Sequence, residues 1–202
     1  MDAWLYYIKE GWFHIADWTA YDHIFFIIAL AISVSLDRWR VLLAFVTVFT
    51  IGHSIALALA TFDIVRIESS WVEFLIPLTI IWTAGHTIYK RCIAEYRLGE
   101  EVRHTQEIVV ILLFGIIHGL GFSNYLRFMI TRSESITETL LLFNVGLEIG
   151  QIMILVLVLI LNFIAVKLVK IYESVWFVLI AILLILFTLP IVWQTGKILF
   201  NT

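Results

Sequence analysis

The chain is predicted to be an all-α integral membrane protein, a single domain (residues 1–202) of six transmembrane helices in one bundle. Three observations carry that expectation. Of the 202 residues, 62% are hydrophobic and 14% charged, with a mean hydropathy of +1.01, whereas a soluble domain is about 45–50% apolar. The apolar residues fall in blocks of about 20, enough to cross a roughly 30 Å hydrocarbon layer. The charged residues gather in the breaks between blocks.

Residues 1–17 mix aromatics such as Trp4 and Trp12 with Lys9, Glu10 and Asp17, which suits a helix lying in the outer interface. No basic stretch precedes the first apolar run and no A-x-A site follows it, so no secretory signal is expected. Spans follow at about 21–36, 41–61, 71–90, 107–129, 138–166 and 174–195. The first is short unless Trp18 to Asp22 extend it above the hydrocarbon. Pro77 and Pro190 fall inside spans, where neighbouring helices or hydroxyls satisfy the freed carbonyls.

The intervening loops set the orientation. Loops 1, 3 and 5 hold eight Lys and Arg (Arg38 and Arg40; Lys90, Arg91, Arg97 and Arg103; Lys167 and Lys170). Loops 2 and 4 hold three: Arg66, Arg127 and Arg132. Basic loops stay in the cytoplasm, so both termini are expected outside. The net charge of −3 offers no basic surface for nucleic acid, and the lone Cys92 provides neither a disulfide nor a thiolate metal site. No nucleotide-binding or hydrolase motif is present.

Polar residues interrupt the spans. At 1.5 Å per residue, His53 lies roughly 12 Å and His118 roughly 15 Å below the outer ends of spans 2 and 4. Asn144 and Glu148 lie roughly 9 and 15 Å into span 5, while Asp22 and His23 sit at the outer mouth of span 1. On span 5, Asn144, Glu148 and Gln151 share one helical stripe. On span 2, Thr47, Thr50 and Ser54 form a polar stripe adjoining His53. Gly115 and Gly119, beside His118, and Gly146 with Gly150 are small-x-x-x-small pairs that let another backbone approach.

A lone membrane histidine is often satisfied by a hydroxyl or carbonyl, and Asn144 and Gln151 can act as interhelical glue. A carboxylate in mid-span needs a partner or a proton. Taken together, the residues point to one polar site in the outer half of the bilayer. Imidazoles with a carboxylate and amides favour zinc, nickel, cobalt or iron. Methionine and cysteine are missing from the set, which disfavours Cu(I), and magnesium or calcium want more carboxylates. Asp22 either orients His23 or hands a cation inward. His86 is read as an interfacial residue or an exit relay, His104 as a solvated loop residue, and His14 as a mouth residue or a headgroup neighbour.

Five stretches carry a resemblance. They are Gly11-Trp12-Phe13-His14-Ile15, Tyr21-Asp22-His23-Ile24-Phe25-Phe26, Thr50-Ile51-Gly52-His53-Ser54, Phe114-Gly115-Ile116-Ile117-His118-Gly119-Leu120-Gly121-Phe122 and Phe143-Asn144-Val145-Gly146-Leu147-Glu148-Ile149-Gly150-Gln151. In order and spacing the chain resembles the HupE/UreJ family of bacterial membrane proteins. That family is associated with hydrogenase and urease gene clusters and regarded as nickel or cobalt permeases. The resemblance implies a multi-pass protein of the bacterial inner membrane, with His23, Asp22, His53, His118 and Glu148 handling metal.

Two functions follow. In the first, a divalent-metal permease, His14, Asp22 and His23 capture the ion and His53, His118, Asn144 and Glu148 bind it near mid-membrane. Ser54 and Gln151 support these ligands, and a small chain of this kind is a candidate for homo-oligomerisation. In the second, an intramembrane hydrolase, three histidines hold zinc and Glu148 or Asp22 acts as general base. A metal-sensing or assembly subunit is a third option.

Overall fold

The computed structural model describes residues 3–17, 21–92, 105–130 and 135–200. Among these the chain forms seven α-helices and no strand: α1 (Ala3–Ala16), α2 (Tyr21–Ser33), α3 (Trp39–Thr61), α4 (Ser69–Cys92), α5 (Thr105–Ile130), α6 (Ile136–Phe163) and α7 (Glu173–Phe200). A 3-10 turn, Leu36–Arg38, leads into α3, and a π-helical turn, Ile164–Leu168, extends α6.

Local chemistry sets several boundaries. The Ser135 hydroxyl accepts from the Glu138 backbone N–H at the start of α6, satisfying a donor the helix leaves unpaired. After α3 the chain reverses at Asp63, whose φ of 63° lies in the left-handed region that aspartate enters more readily than most residues. Lys170, at φ 61°, closes the turn before α7. Pro77 sits within α4, where the hydroxyls of Thr79, Thr83 and Thr87 each bond a carbonyl one turn back. That arrangement satisfies hydroxyl donors within an apolar setting.

Among the described residues, four helical stretches are long and apolar enough to cross a bilayer: Leu36–Thr61, Ser69–Cys92, Ile136–Leu168 and Glu173–Phe200. The first expected span differs from its reading. α2 stops at Ser33, and its 13 residues rise only about 20 Å, short of the hydrocarbon thickness. It joins α1 across a 70° bend, and the two pass as one broken span or re-entrant loop. α5 has 26 residues, and its apolar stretch Gln106–Phe122 lies within it. Among the described residues, four helices, or five with the bent pair, are long and apolar enough to cross.

Packing resolves into three main pairs, α3 on α5, α1 on α6 and α4 on α7. Glycines make the first two possible. A Cβ on Gly115 would overlap the Phe49 carbonyl, and one on Gly52 the Leu112 carbonyl. A Cβ on Gly11 would overlap the Phe143 carbonyl, and one on Gly146 the Ile8 carbonyl. Backbones that close gain van der Waals contact, the main attraction between helices in lipid. α1, expected to lie in the interface, is thus seated along α6.

Phe26, Phe45, Phe49, Phe143, Leu42 and Leu147 fill the main core, and Phe177, Ala181 and Ala84 a second one beside α7. Large apolar side chains such as Leu161, Leu186 and Phe187 remain exposed, as expected where lipid rather than water is the solvent. At the opposite end of the bundle from the histidines, Lys90 pairs with Glu107, and Arg91 with Glu173 at 2.9 Å. The Trp176 indole also donates to Asn162 Oδ1 there, at 2.9 Å. Loop 3 between Ile93 and His104, and Arg132 in loop 4, lie outside the described residues.

Candidate metal centre

Four helices each deliver one histidine to the same place. His14 comes from the last turn of α1, His23 from the first turn of α2, His53 from the middle of α3 and His118 from α5. The His14 and His23 rings are 4.7 Å apart, His14 and His53 5.9 Å, His23 and His53 5.8 Å, and His23 and His118 5.6 Å. One ring nitrogen from each of His14, His23 and His53 lies within 4.8 Å of the others. His23, His53 and His118 are buried, His53 completely.

Hydrogen bonding fixes two of the rings. His118 Nδ1–H donates to the Phe114 carbonyl at 2.8 Å, one turn back on its own helix. His23 Nδ1–H donates to Asp22 Oδ1 at 3.1 Å, and the same oxygen accepts the His23 backbone N–H at 2.9 Å. Both tautomers leave a lone pair on Nε2, and a carboxylate behind an imidazole raises its basicity as a ligand. Asp22 is thus placed to orient the His23 ring.

The remaining nitrogens test whether a metal suits the site. His14 Nε2, His23 Nε2, His118 Nε2 and both nitrogens of His53 are buried with no hydrogen-bond partner among the described residues. A buried polar atom without a partner is costly, and here those of His14, His23 and His53 supply a group lying within 4.8 Å of one another. Imidazole lone pairs are the donors that borderline divalent ions take, so the donor set fits such an ion.

Aromatic rings wall the cluster. Phe122 lies 3.7 Å from the His14 ring, centre to centre, and Phe143 stacks behind it at 5.3 Å. Phe26 and Phe49 stack on each other at 4.7 Å and both flank His118. A cavity of about 360 Å³ connects this core to the surface. Its lining runs from exposed Tyr21 and Glu73, past Asp22, to His14, His23 and His118. Glu73 was not singled out from sequence, because a charge near a span end reads as an ordinary interfacial residue.

The expected single site divides in two. Among the described residues Glu148 forms no hydrogen bond or ion pair with the histidines. Its carboxylate accepts from Thr47 Oγ1 at 2.7 Å and is bonded to Thr50 Oγ1, both on α3. Gln151 Oε1 is 2.7 Å from Thr50 Oγ1, and the Ser54 hydroxyl donates to the Thr50 carbonyl at 2.7 Å. The stripe of Thr47, Thr50 and Ser54 was legible in the sequence, but not that Glu148 would dock on it. Asn144 is half-buried, its Oδ1 without a hydrogen-bond partner among the described residues. His86 stacks on Trp82, 5.0 Å away, and takes no part in the cluster; His104 lies outside the described residues.

A family model described as "HupE / UreJ protein" matches residues 1–196. No curated protein and no solved structure matches the chain.

Proposed function

The chain belongs to the HupE/UreJ family, and from that premise we propose that it is a permease carrying nickel- or cobalt-type divalent ions across the bacterial inner membrane. The observation that supports this most is the convergence of unpartnered imidazole nitrogens of His14, His23 and His53 from three helices, with the His118 ring 5.6 Å from that of His23, beside an open cavity lined by His14, His23 and His118. We take the six-span arrangement, with both termini outside, from the excess of Lys and Arg in loops 1, 3 and 5.

On this reading the hydrated cation enters past Glu73 and Asp22, whose charges favour it. Imidazoles of His14, His23, His53 and His118 then replace its water. A divalent ion among neutral ligands in a low-dielectric interior is costly, and the Asp22 carboxylate offsets part of that charge through His23. Neutral nitrogen donors release an ion more readily than a thiolate set, which suits cargo. No nucleotide motif is present to drive the step. The hydrolase alternative asks for a general base beside the metal, and here Thr47 and Thr50 engage Glu148 while His23 engages Asp22.

The test combines binding and uptake. Cobalt(II) titrated into detergent-purified protein should produce the visible bands of nitrogen-ligated cobalt, and His118→Ala should weaken them. The same substitution should abolish metal accumulation in cells. Unchanged accumulation by His118→Ala overturns the permease reading.

A further inference from the structure

An open groove runs between α4 and α7 at the end of the bundle that carries the histidines. Its volume is about 780 Å³, and Phe74, Leu189, Trp193, Gly196, Lys197 and Phe200 help to line it. That size falls within the roughly 300–1,000 Å³ of small-molecule sites. α7 stands between this groove and the metal cavity: Ile191 and Thr195 line the cavity, Trp193 and Gly196 the groove. On α4, Glu73 lines the cavity and the next residue, Phe74, the groove.

Glycine keeps the groove open. A Cβ on Gly196 would lie 3.3 Å from Phe74 Cε2, so a larger side chain there would press on that ring and occupy the space. Phe200 closes one end, edge-on to Phe74 at 5.6 Å and to Trp71 at 6.3 Å. Lys197 Nζ lies 4.9 Å from the centre of the Trp193 ring. Among the described residues that line the groove only Lys197 is charged, and it forms no ion pair among them.

We propose that this groove binds an anionic phospholipid, with one acyl chain along its apolar wall and the phosphate at Lys197. The site uses no step of metal transport, so it stands or falls apart from the permease reading.

Length fits such an occupant. From Leu189 to Phe200 the helix rises roughly 17 Å, 11 residues at 1.5 Å each, close to half of a roughly 30 Å hydrocarbon layer. The groove therefore reaches from headgroup depth towards mid-bilayer, as one chain of one leaflet does. Its chemistry grades the same way. Leu189 marks the deep end, and Lys197 lies roughly 12 Å above it. Tryptophan and lysine together at the end of an apolar helix sit at headgroup level. The Lys197 stem can rest on apolar surface while its ammonium stays in the polar layer, where a phosphate oxygen accepts from it.

Other occupants match less of the groove. A free aqueous anion would use Lys197 and leave the apolar length unfilled. A second copy of the chain would have to bring an apolar ridge and a carboxylate in one register. A phospholipid carries both parts in one molecule and is already the solvent around α7, whose Leu186, Phe187 and Leu189 are exposed.

The experiment is native mass spectrometry of the full-length protein released from detergent, with phosphatidylglycerol and phosphatidylcholine of identical chains titrated in turn. The parent should retain phosphatidylglycerol in preference to phosphatidylcholine. Lys197→Gln should weaken phosphatidylglycerol binding about fivefold, the effect of one basic residue beside an anionic headgroup, and phosphatidylcholine binding less. Gly196→Leu, which fills the groove, should weaken both. Lys197 is exposed, so its substitution leaves the packing intact. Should Gly196→Leu fail to fold, the chain contact is read on the parent, which should bind a short-chain phosphatidylglycerol more weakly than a long-chain one. Phosphatidylglycerol binding that is equal in the parent and Lys197→Gln overturns the proposal. Displacement of the lipid by inorganic phosphate, or affinity independent of chain length, overturns it in favour of a simple anion site. A dimer that phosphatidylglycerol leaves intact and Gly196→Leu splits overturns it in favour of a second copy of the chain.

Discussion

A single oxygen of Asp22 holds His23 twice, accepting the ring Nδ1–H at 3.1 Å and the backbone N–H at 2.9 Å. The ring is thereby oriented with Nε2 as its free nitrogen, facing no hydrogen-bond partner among the described residues. Substituting Asp22→Asn keeps the shape but removes the charge and lets the amide present N–H to the ring. Cobalt(II) affinity should fall about 10- to 100-fold, the usual range for losing a carboxylate behind a ligating histidine. Titration of the visible cobalt bands measures this, and an affinity equal to the parent's would show that Asp22 does not tune the site.

The seam between α3 and α5 sets the spacing of His53 and His118, and glycine sets the seam. A Cβ on Gly119 would sit 2.8 Å from the Ala56 Cβ, and one on Gly115 would overlap the Phe49 carbonyl. Gly115→Ala should therefore destabilise the protein by about 1–3 kcal/mol, the usual range for overpacking, and weaken metal binding along with it. Gly85→Ala is the control, because a Cβ there meets nothing within 4 Å. Replacing a mid-helix glycine with alanine should stabilise by up to about 1 kcal/mol. Thermal unfolding in detergent separates the two, and equal shifts would mean that the seam does not carry the packing.

The limits of two long helices were legible because blocks of apolar residues mark them. The span expected at 41–61 is α3, Trp39–Thr61, and that at 138–166 is α6 with its π-helical turn, Ile136–Leu168. His53 and His118 were legible as candidate site residues because a histidine on an apolar face needs a reason. Position in the third dimension was not. Depth counting put His23 at the outer mouth of its span and His53 roughly 12 Å below the outer end of its own, but not that their rings come within 5.8 Å of each other. The 70° bend between α1 and α2 cannot be read from hydropathy, and it is what returns His14 to His23. Glu148 shows the complementary limit. Its depth was countable, but rotation about α6 turns it to Thr47 and Thr50 on α3.

α1 brings His14 to the cluster only while it stays seated on α6. Gly146 takes the Ile8 backbone, so Gly146→Val should push α1 away and withdraw His14. His14→Ala removes the same imidazole directly. The two substitutions should thus be non-additive in cobalt(II) affinity, the double variant binding no more weakly than the weaker single variant. Additive losses beyond about 0.5 kcal/mol, the tolerance for independent sites, would mean that the α1–α6 seam acts elsewhere than through His14.

Glu73 lines the cavity but is exposed, whereas the histidines lie inside. An exposed carboxylate at the mouth acts on arrival rather than on bound affinity, since it attracts a divalent ion without ligating it at the cluster. Glu73→Gln should lower the initial uptake rate at limiting metal while leaving the cobalt(II) affinity of purified protein near that of the parent. Salt gives the signature. With a screening length of about 3 Å at 1 M ionic strength, against about 10 Å at 0.1 M, the deficit should shrink as salt rises. A deficit that persists at high salt together with weakened cobalt binding would make Glu73 part of the binding site itself. Uptake indistinguishable from the parent at low salt would move the entry route away from this cavity.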